Sequence, residues 1–336
     1  RLNILTAELK SENPAIRKEN LLMKGTVLSA INLYRNLLIL DMSDKSELIA
    51  SYELRINDIK VGINFVDNSF AEHLDGVAVT VSTSEKEYIF INIGKLKREA
   101  EELHKTIAAP VDIRENFYAE EYRNWSLEKI FYKKINEVLF HEIIHAATDR
   151  GLQAGLFNVL LLNNKVIRDE IEHVRKYPMD KKIYRIKQEI AAILGQLAYS
   201  KSDRGTLALM ALASIGGVGG SLDYASAGDC VTALIFDALG FRNYLLSQGV
   251  EKSKESFKEW VRNTDLIPPE RYGYMLEFIK TLSNTEINRT AKLYYEQLFG
   301  PLPQEELVYI PKKLIEFGLQ GALIFKLKDN MTNFCL

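Results

Sequence analysis

His141, Glu142 and His145, in the stretch "EVLFHEIIHAATDRG" from Glu137 to Gly151, have residue types and spacing that could hold a metal and move a proton. On a helix, residues four apart share a face, so two imidazole nitrogens can point at one ion, and zinc accepts such nitrogens at about 2.0–2.1 Å. Glu142 lies about 100° round from His141, placed to address a water beside the ion rather than the ion itself. That division of labour suits hydrolysis: the metal lowers the pKa of a zinc-bound water and polarises a carbonyl, while the glutamate acts as general base and returns the proton to the leaving amine. A random chain of this length would spell the pattern about once in a hundred.

Catalytic zinc needs a third protein ligand. Glu189, in "IKQEIAAILGQLAY", is flanked by Ile186, Ile190 and Ile193, where a carboxylate is costly unless it is paired or ligated. It is the preferred third ligand. His173, Glu170 and Glu172 in "DEIEHVRKYP", and Glu286 and Glu296 in "NTEINRTAKLYYEQLFG", are the alternatives. Other chemistries find little support. There is no Gly-x-Ser-x-Gly elbow and no Walker loop; "GGVGG" lacks the spacing of a dinucleotide-binding turn. Cys230 and Cys335 are the two cysteines, too few for a disulfide framework or a cysteine zinc site, and Cys230 reads as a buried structural thiol.

The motif has to be carried on regular elements. Asn124 or Ser126 can cap a helix running to Arg150, with Gly151 as its stop and Leu127, Phe131, Ile135, Val138, Glu142 and His145 along one stripe. Asp180 can open the helix that bears Glu189. Between these, helices are expected over 152–162 and 164–176. Upstream, "IKVGINFV", "GVAVTVS" and "EYIFINI" read as three strands of a small, mainly antiparallel sheet. Residues 1–57 read mostly as helix, 94–120 as a helix ending before Pro110 and then a loop, and everything past 200 as helical. The glycine-rich stretch 216–228 reads as a loop or a lid. The strand "EKEYIFINI" could add an extended substrate to the sheet as an edge, or be a core strand against the helix.

Composition limits the remaining choices. Apolar residues make up 47% and charged residues 26%, so a folded chain with at least one sizeable core is expected. The net charge of −2 argues against a partner bound through phosphate neutralisation, so no nucleic acid is expected. Gly205 to Leu222 is the longest uncharged run, shorter than the roughly 20 apolar residues a membrane span needs. The first twenty residues are too charged for a secretory signal, and a cytoplasmic or virion-associated setting is expected over secretion. The chain opens on Arg1, which fits a trimmed chain or a fragment of a longer precursor.

Together, the "FINI" strand, "VLFHEIIHAATD" and "QEIAAILGQL" resemble the zincin metallopeptidases, specifically the gluzincin-like group. The local texture is most similar to the zincin-like domains of large polyvalent proteins of phages and mobile elements. The resemblance covers about residues 77–200. It implies a zincin-like core with a small, mainly antiparallel sheet packed on the HExxH helix over 58–200, and with the helical regions read from periodicity over 1–57 and 201–336 the expected fold is α+β and predominantly helical. It implies Zn2+ held by His141, His145 and Glu189, Glu142 as general base, and Ala192 as the small residue of the Glu-x-x-Ala helix. A protein or peptide substrate is expected, with polyprotein or host-protein processing and association with a larger polyprotein or virion assembly. One departure stands out: many gluzincins place an aspartate four residues after the ligand glutamate, where this chain has Ile193. Asp149 or Asp169 would then support the histidines, and Tyr184, Tyr199 or His173 would stabilise the oxyanion. The competing expectation is a structural or cargo protein of a phage virion on an inherited, inactive zincin scaffold.

Overall fold

The computed structural model describes residues 47–56, 59–67, 77–82, 86–175, 180–200, 202–216, 222–250 and 256–302. The expected helix over 1–46, the glycine-rich residues 217–221 and the segment 303–336 with Cys335 lie outside these. Contacts divide the chain into two compact units, Arg1–Lys95 and Leu96–Leu336.

In the first unit, β1 (Glu47–Ile56), β2 (Ile59–Asp67), β3 (Ala78–Ser82) and β4 (Lys86–Asn92) form one sheet in the order β1-β2-β4-β3. Two expectations change here. Residues 47–56 form a strand, not part of a helix, and their sequence "ELIASYELRI" alternates apolar and polar from Ala50 through Tyr52, Leu54 and Ile56. The sheet is mixed: β1 and β3 pair antiparallel with their neighbours, but the central β2 and β4 run parallel, with Ile63 opposite Ile89 and Phe65 opposite Ile91. Those residues are fully buried. Since β4 is paired on both sides, "EYIFIN" is an interior strand and offers no edge to a substrate.

Helix α1 (Ile93–Ala108) follows β4 directly. The second unit continues with α2 (Ile113–Tyr122), α3 (Leu127–Gln153), α4 (Asn158–Asn163), α5 (Lys165–Arg175), α6 (Asp180–Tyr199), α7 (Arg204–Gly216), α8 (Leu222–Leu239), α9 (Phe241–Ser247), α10 (Phe257–Asn263), α11 (Pro268–Thr281) and α12 (Asn284–Phe299). Helix α2 replaces the expected loop, and its signal is Asp112, whose carboxylate accepts from the backbone N–H of Arg114 and Glu115. Residues 222–228 are likewise helical, within α8. Helix α4 is shorter than the expected 152–162 because α3 runs three residues further than expected. Gly151 is not the stop. A side chain there would meet the Phe157 ring at 2.6 Å, and the left-handed turn comes at Gly155, φ 74°.

Helix α6 packs against α3, α8 and α12. Enclosure on these sides explains why every residue from Ile190 to Leu197 is buried. The fold is therefore α+β and predominantly helical. No helix among the described residues is long and apolar enough to cross a membrane.

Candidate metal centre

Ser126 caps α3 by accepting from the backbone N–H of Lys129, and the helix carries His141, Glu142 and His145 through its middle. Helix α6 lies antiparallel to it. Asn136 donates to the Ser200 carbonyl, the His141 ring meets Gln196 and Asp149 meets Gln188, so contacts descend one helix as they climb the other. Close approach depends on Gly195, where a Cβ would stand 2.5 Å from Cγ1 of Ile144. Ala191 and Ala192, on the preceding turn, are fully buried.

This pairing brings Glu189 to the two histidines. His141 Nε2 lies 3.2 Å from His145 Nε2 and 3.3 Å from Glu189 Oε2, and His145 Nε2 lies 3.7 Å from Glu189 Oε1. Taken one ligand atom per residue, the three groups lie within 4.8 Å of one another, and they are the one such His/Cys/Asp/Glu group found among the described residues. A tetrahedral ion with bonds of about 2.0–2.1 Å sets its ligand atoms about 3.3–3.4 Å apart, so the cluster is close to the spacing zinc requires. The donor atoms also lack other employment. Glu189 Oε2 is buried without a hydrogen bond, and the two Nε2 atoms face each other, a contact that needs a proton on one ring or a cation between the two.

The charges agree with this reading. Burial works to raise the Glu189 carboxyl, but the close imidazoles of His141 and His145 hold it well below the usual carboxylate range. Burial works against charge on His145, yet Asp149 and Glu189 outweigh it and lift the imidazole to about 10. A proton on His145 thus supplies positive charge to a pocket that otherwise holds a bare carboxylate. Glu142, next to His141 on the helix, is 9% exposed.

The far nitrogen of His141 meets an acceptor, and that of His145 faces a carboxylate. His141 Nδ1 is 3.1 Å from Gln196 Oε1. His145 Nδ1 is 3.6 Å from Asp149 Oδ1, an ion-pair distance slightly beyond a hydrogen bond, and Gln188 Nε2 donates to the other oxygen of Asp149 at 2.6 Å. Of the two expected supports, Asp149 is at the site and Asp169, on α5, is not brought to it.

The remaining candidates are occupied elsewhere. Lys258 binds Glu170, Glu286 caps α12 at Ser283, and Glu296 accepts from Tyr199. Glu172 and His173 are exposed on α5. The Tyr184 hydroxyl donates to the Asp149 carbonyl, behind the histidines. Two residues at the site were not foreseen. Gln196 follows Glu189 by seven positions, two turns on the same face, a spacing that could have flagged it. The Tyr224 ring lies 6.2 Å from that of His141, and burial together with Glu189 and Glu137 pushes its hydroxyl pKa up. Nothing in the local sequence of α8 marks it. A separate cavity of about 480 Å³, lined by His104, Ile107, Asn116, Glu120, Arg123 and Trp125, shares no residue with this cluster.

Comparison with protein-family models, with characterised proteins and with solved structures returns no match, so membership of the zincins finds no support there.

Proposed function

We propose that the protein is a zinc-dependent metallopeptidase in which His141, His145 and Glu189 hold the ion and Glu142 moves the proton. One observation carries the reading: two imidazole Nε2 atoms and a carboxylate from neighbouring antiparallel helices converge at zinc-like spacing, with a second buried glutamate next to the first histidine. The donor set supports zinc, since two neutral imidazoles and one carboxylate leave an open position, as hydrolytic zinc sites do. When bound, the ion polarises the scissile carbonyl and acidifies water.

The chain's own residues supply the rest. Glu142 takes the proton of the attacking water and delivers it to the leaving nitrogen of a protein or peptide substrate. Gln196 accepts from the far nitrogen of His141, and Asp149 stands at ion-pair distance from that of His145, which favours the ring protons on the far side and the lone pairs on the near one. The buried flanks of α3 and α6 restrict water to the open side, which strengthens each charge interaction within.

The test is metal analysis of natively purified protein paired with Glu142→Gln. About one zinc per chain is expected, lost in His141→Ala, with Glu142→Gln keeping its zinc while cleavage falls about 10²–10⁴-fold. Native protein without zinc overturns the reading. Zinc bound without cleavage of any peptide library moves the assignment to a virion structural protein on an inactive scaffold.

A further inference from the structure

We infer that Gln196 is the positioning residue for His141, filling with a neutral amide the place that Ile193 leaves unfilled. The inference rests on the proposed metal site and deepens it. A histidine that ligates through Nε2 must carry its proton on Nδ1, and that proton needs an acceptor to fix both tautomer and ring angle. Gln196 Oε1 stands 3.1 Å from His141 Nδ1, and the residue is 8% exposed.

Helical geometry explains why position 196 serves. At 100° per residue, Gln196 falls within about 20° of Glu189 in azimuth, while Ile193 falls about 40° away on the other side. One face of α6 therefore delivers a ligand to the near side of the histidine pair and, two turns further, an acceptor to the far side of His141. The opposite amide orientation would aim an N–H at Nδ1 and drive the ring proton onto Nε2, where the ion must bind. The three levels of contact between α3 and α6, at Asn136, His141 and Asp149, hold the register in which this works.

The amide's neutrality has a consequence. Glu189, Asp149 and Glu142 already place three carboxylates about the histidines, more than enough to balance a dication. A further anion at 196 would make His141 a stronger donor and the ion a weaker Lewis acid. The chain thus gives His145 a charged support and His141 an uncharged one.

The experiment titrates the metal-free full chain with cobalt(II), read by visible absorption and by chelator competition, for wild type, Gln196→Leu, Gln196→Glu and His145→Ala. Gln196→Leu, which fills the space without an acceptor, is expected to bind about 10–100-fold more weakly than wild type. Gln196→Glu, which restores an acceptor and adds charge, should bind at least as tightly as wild type. In the zinc-loaded wild type, ¹⁵N spectra should show His141 protonated at Nδ1 and ligated at Nε2. Unchanged affinity in Gln196→Leu, or Gln196→Glu as weak as Gln196→Leu, overturns the inference and leaves the metal site standing. Wild-type affinity no greater than that of His145→Ala sinks the site and the inference with it.

Discussion

Glu170 on α5 and Glu189 on α6 are carboxylates held on inward-facing positions of the same helical unit, and they are neutralised in different ways. Lys258, on α10, places its Nζ 2.5 Å from Glu170 Oε2, 3.2 Å from Asp229 Oδ2 and 3.9 Å from the Cys230 thiol. Burial works to discharge that ammonium, but Cys230, Asp229 and Glu170 around it keep it charged well above the usual lysine range. Glu189 has no such permanent cation. Its partners are two imidazoles, and the positive charge near it is a proton on His145 that a divalent ion can displace. A counter-ion tethered to the chain makes a strut between helices; a counter-ion drawn from solution makes a binding site.

The contrast is most exposed to failure at its closed end. Lys258→Met leaves the buried Glu170 without its cation and should cost about 3–5 kcal/mol in denaturant unfolding. Glu189→Gln in the metal-free protein should cost far less, because it removes a buried charge instead of stranding one and leaves His145 with Asp149 as its partner. Equal losses in the two variants would erase the distinction. Zinc provides the complementary test. At a free concentration of 100 times Kd it should add about 2.7 kcal/mol to the stability of wild type. Calorimetry should show no such gain for His145→Ala or Glu189→Ala, and a gain there would place the ion elsewhere. Gly195→Ala should fall next in size, at about 1–3 kcal/mol, since its Cβ would overlap the buried Ile144 side chain. The wedge acts between α3 and α6 and should also weaken cobalt binding, leaving a Glu170–Lys258 double-mutant cycle unaltered.

How far the sequence foretold this arrangement depends on the range of the information. The capped helix through His141 and His145, the strands after Ile59 and the helix from Asp180 are written in local periodicity, and they appear in place. Glu189 was legible because a charge among isoleucines is conspicuous. Strand β1 is hard to read because its period-two alternation follows a long stretch of helical spacing, and α2 because its main local signal is the single cap Asp112. The interior place of β4 follows from β3 pairing on its far side, which no single stretch encodes. Gln196 carried a hint in its spacing from Glu189. Tyr224 and the Lys258 partnership with Glu170, 88 residues away, carried none, because both depend on how α8 and α10 pack against the other helices.

The smallest expected effect separates the two clusters by pH. The Lys258 ammonium is held above its ordinary value of 10.5, so the stability it contributes is fully present below pH 10.5 and is lost as pH rises through the folded value. Denaturant unfolding of wild type should therefore weaken on the alkaline side, this one group contributing at most about 1.4 kcal/mol per pH unit. Buried tyrosines such as Tyr118 and Tyr122, also raised by burial, add losses of the same sign. The informative quantity is the difference between wild type and Lys258→Met across that range: it should shrink as pH climbs, because the variant has already lost what titration removes. A difference that stays constant through the alkaline range would mean that Lys258 acts by packing its aliphatic stem rather than by its charge, and the closed cluster would no longer be the ionic counterpart of the open one.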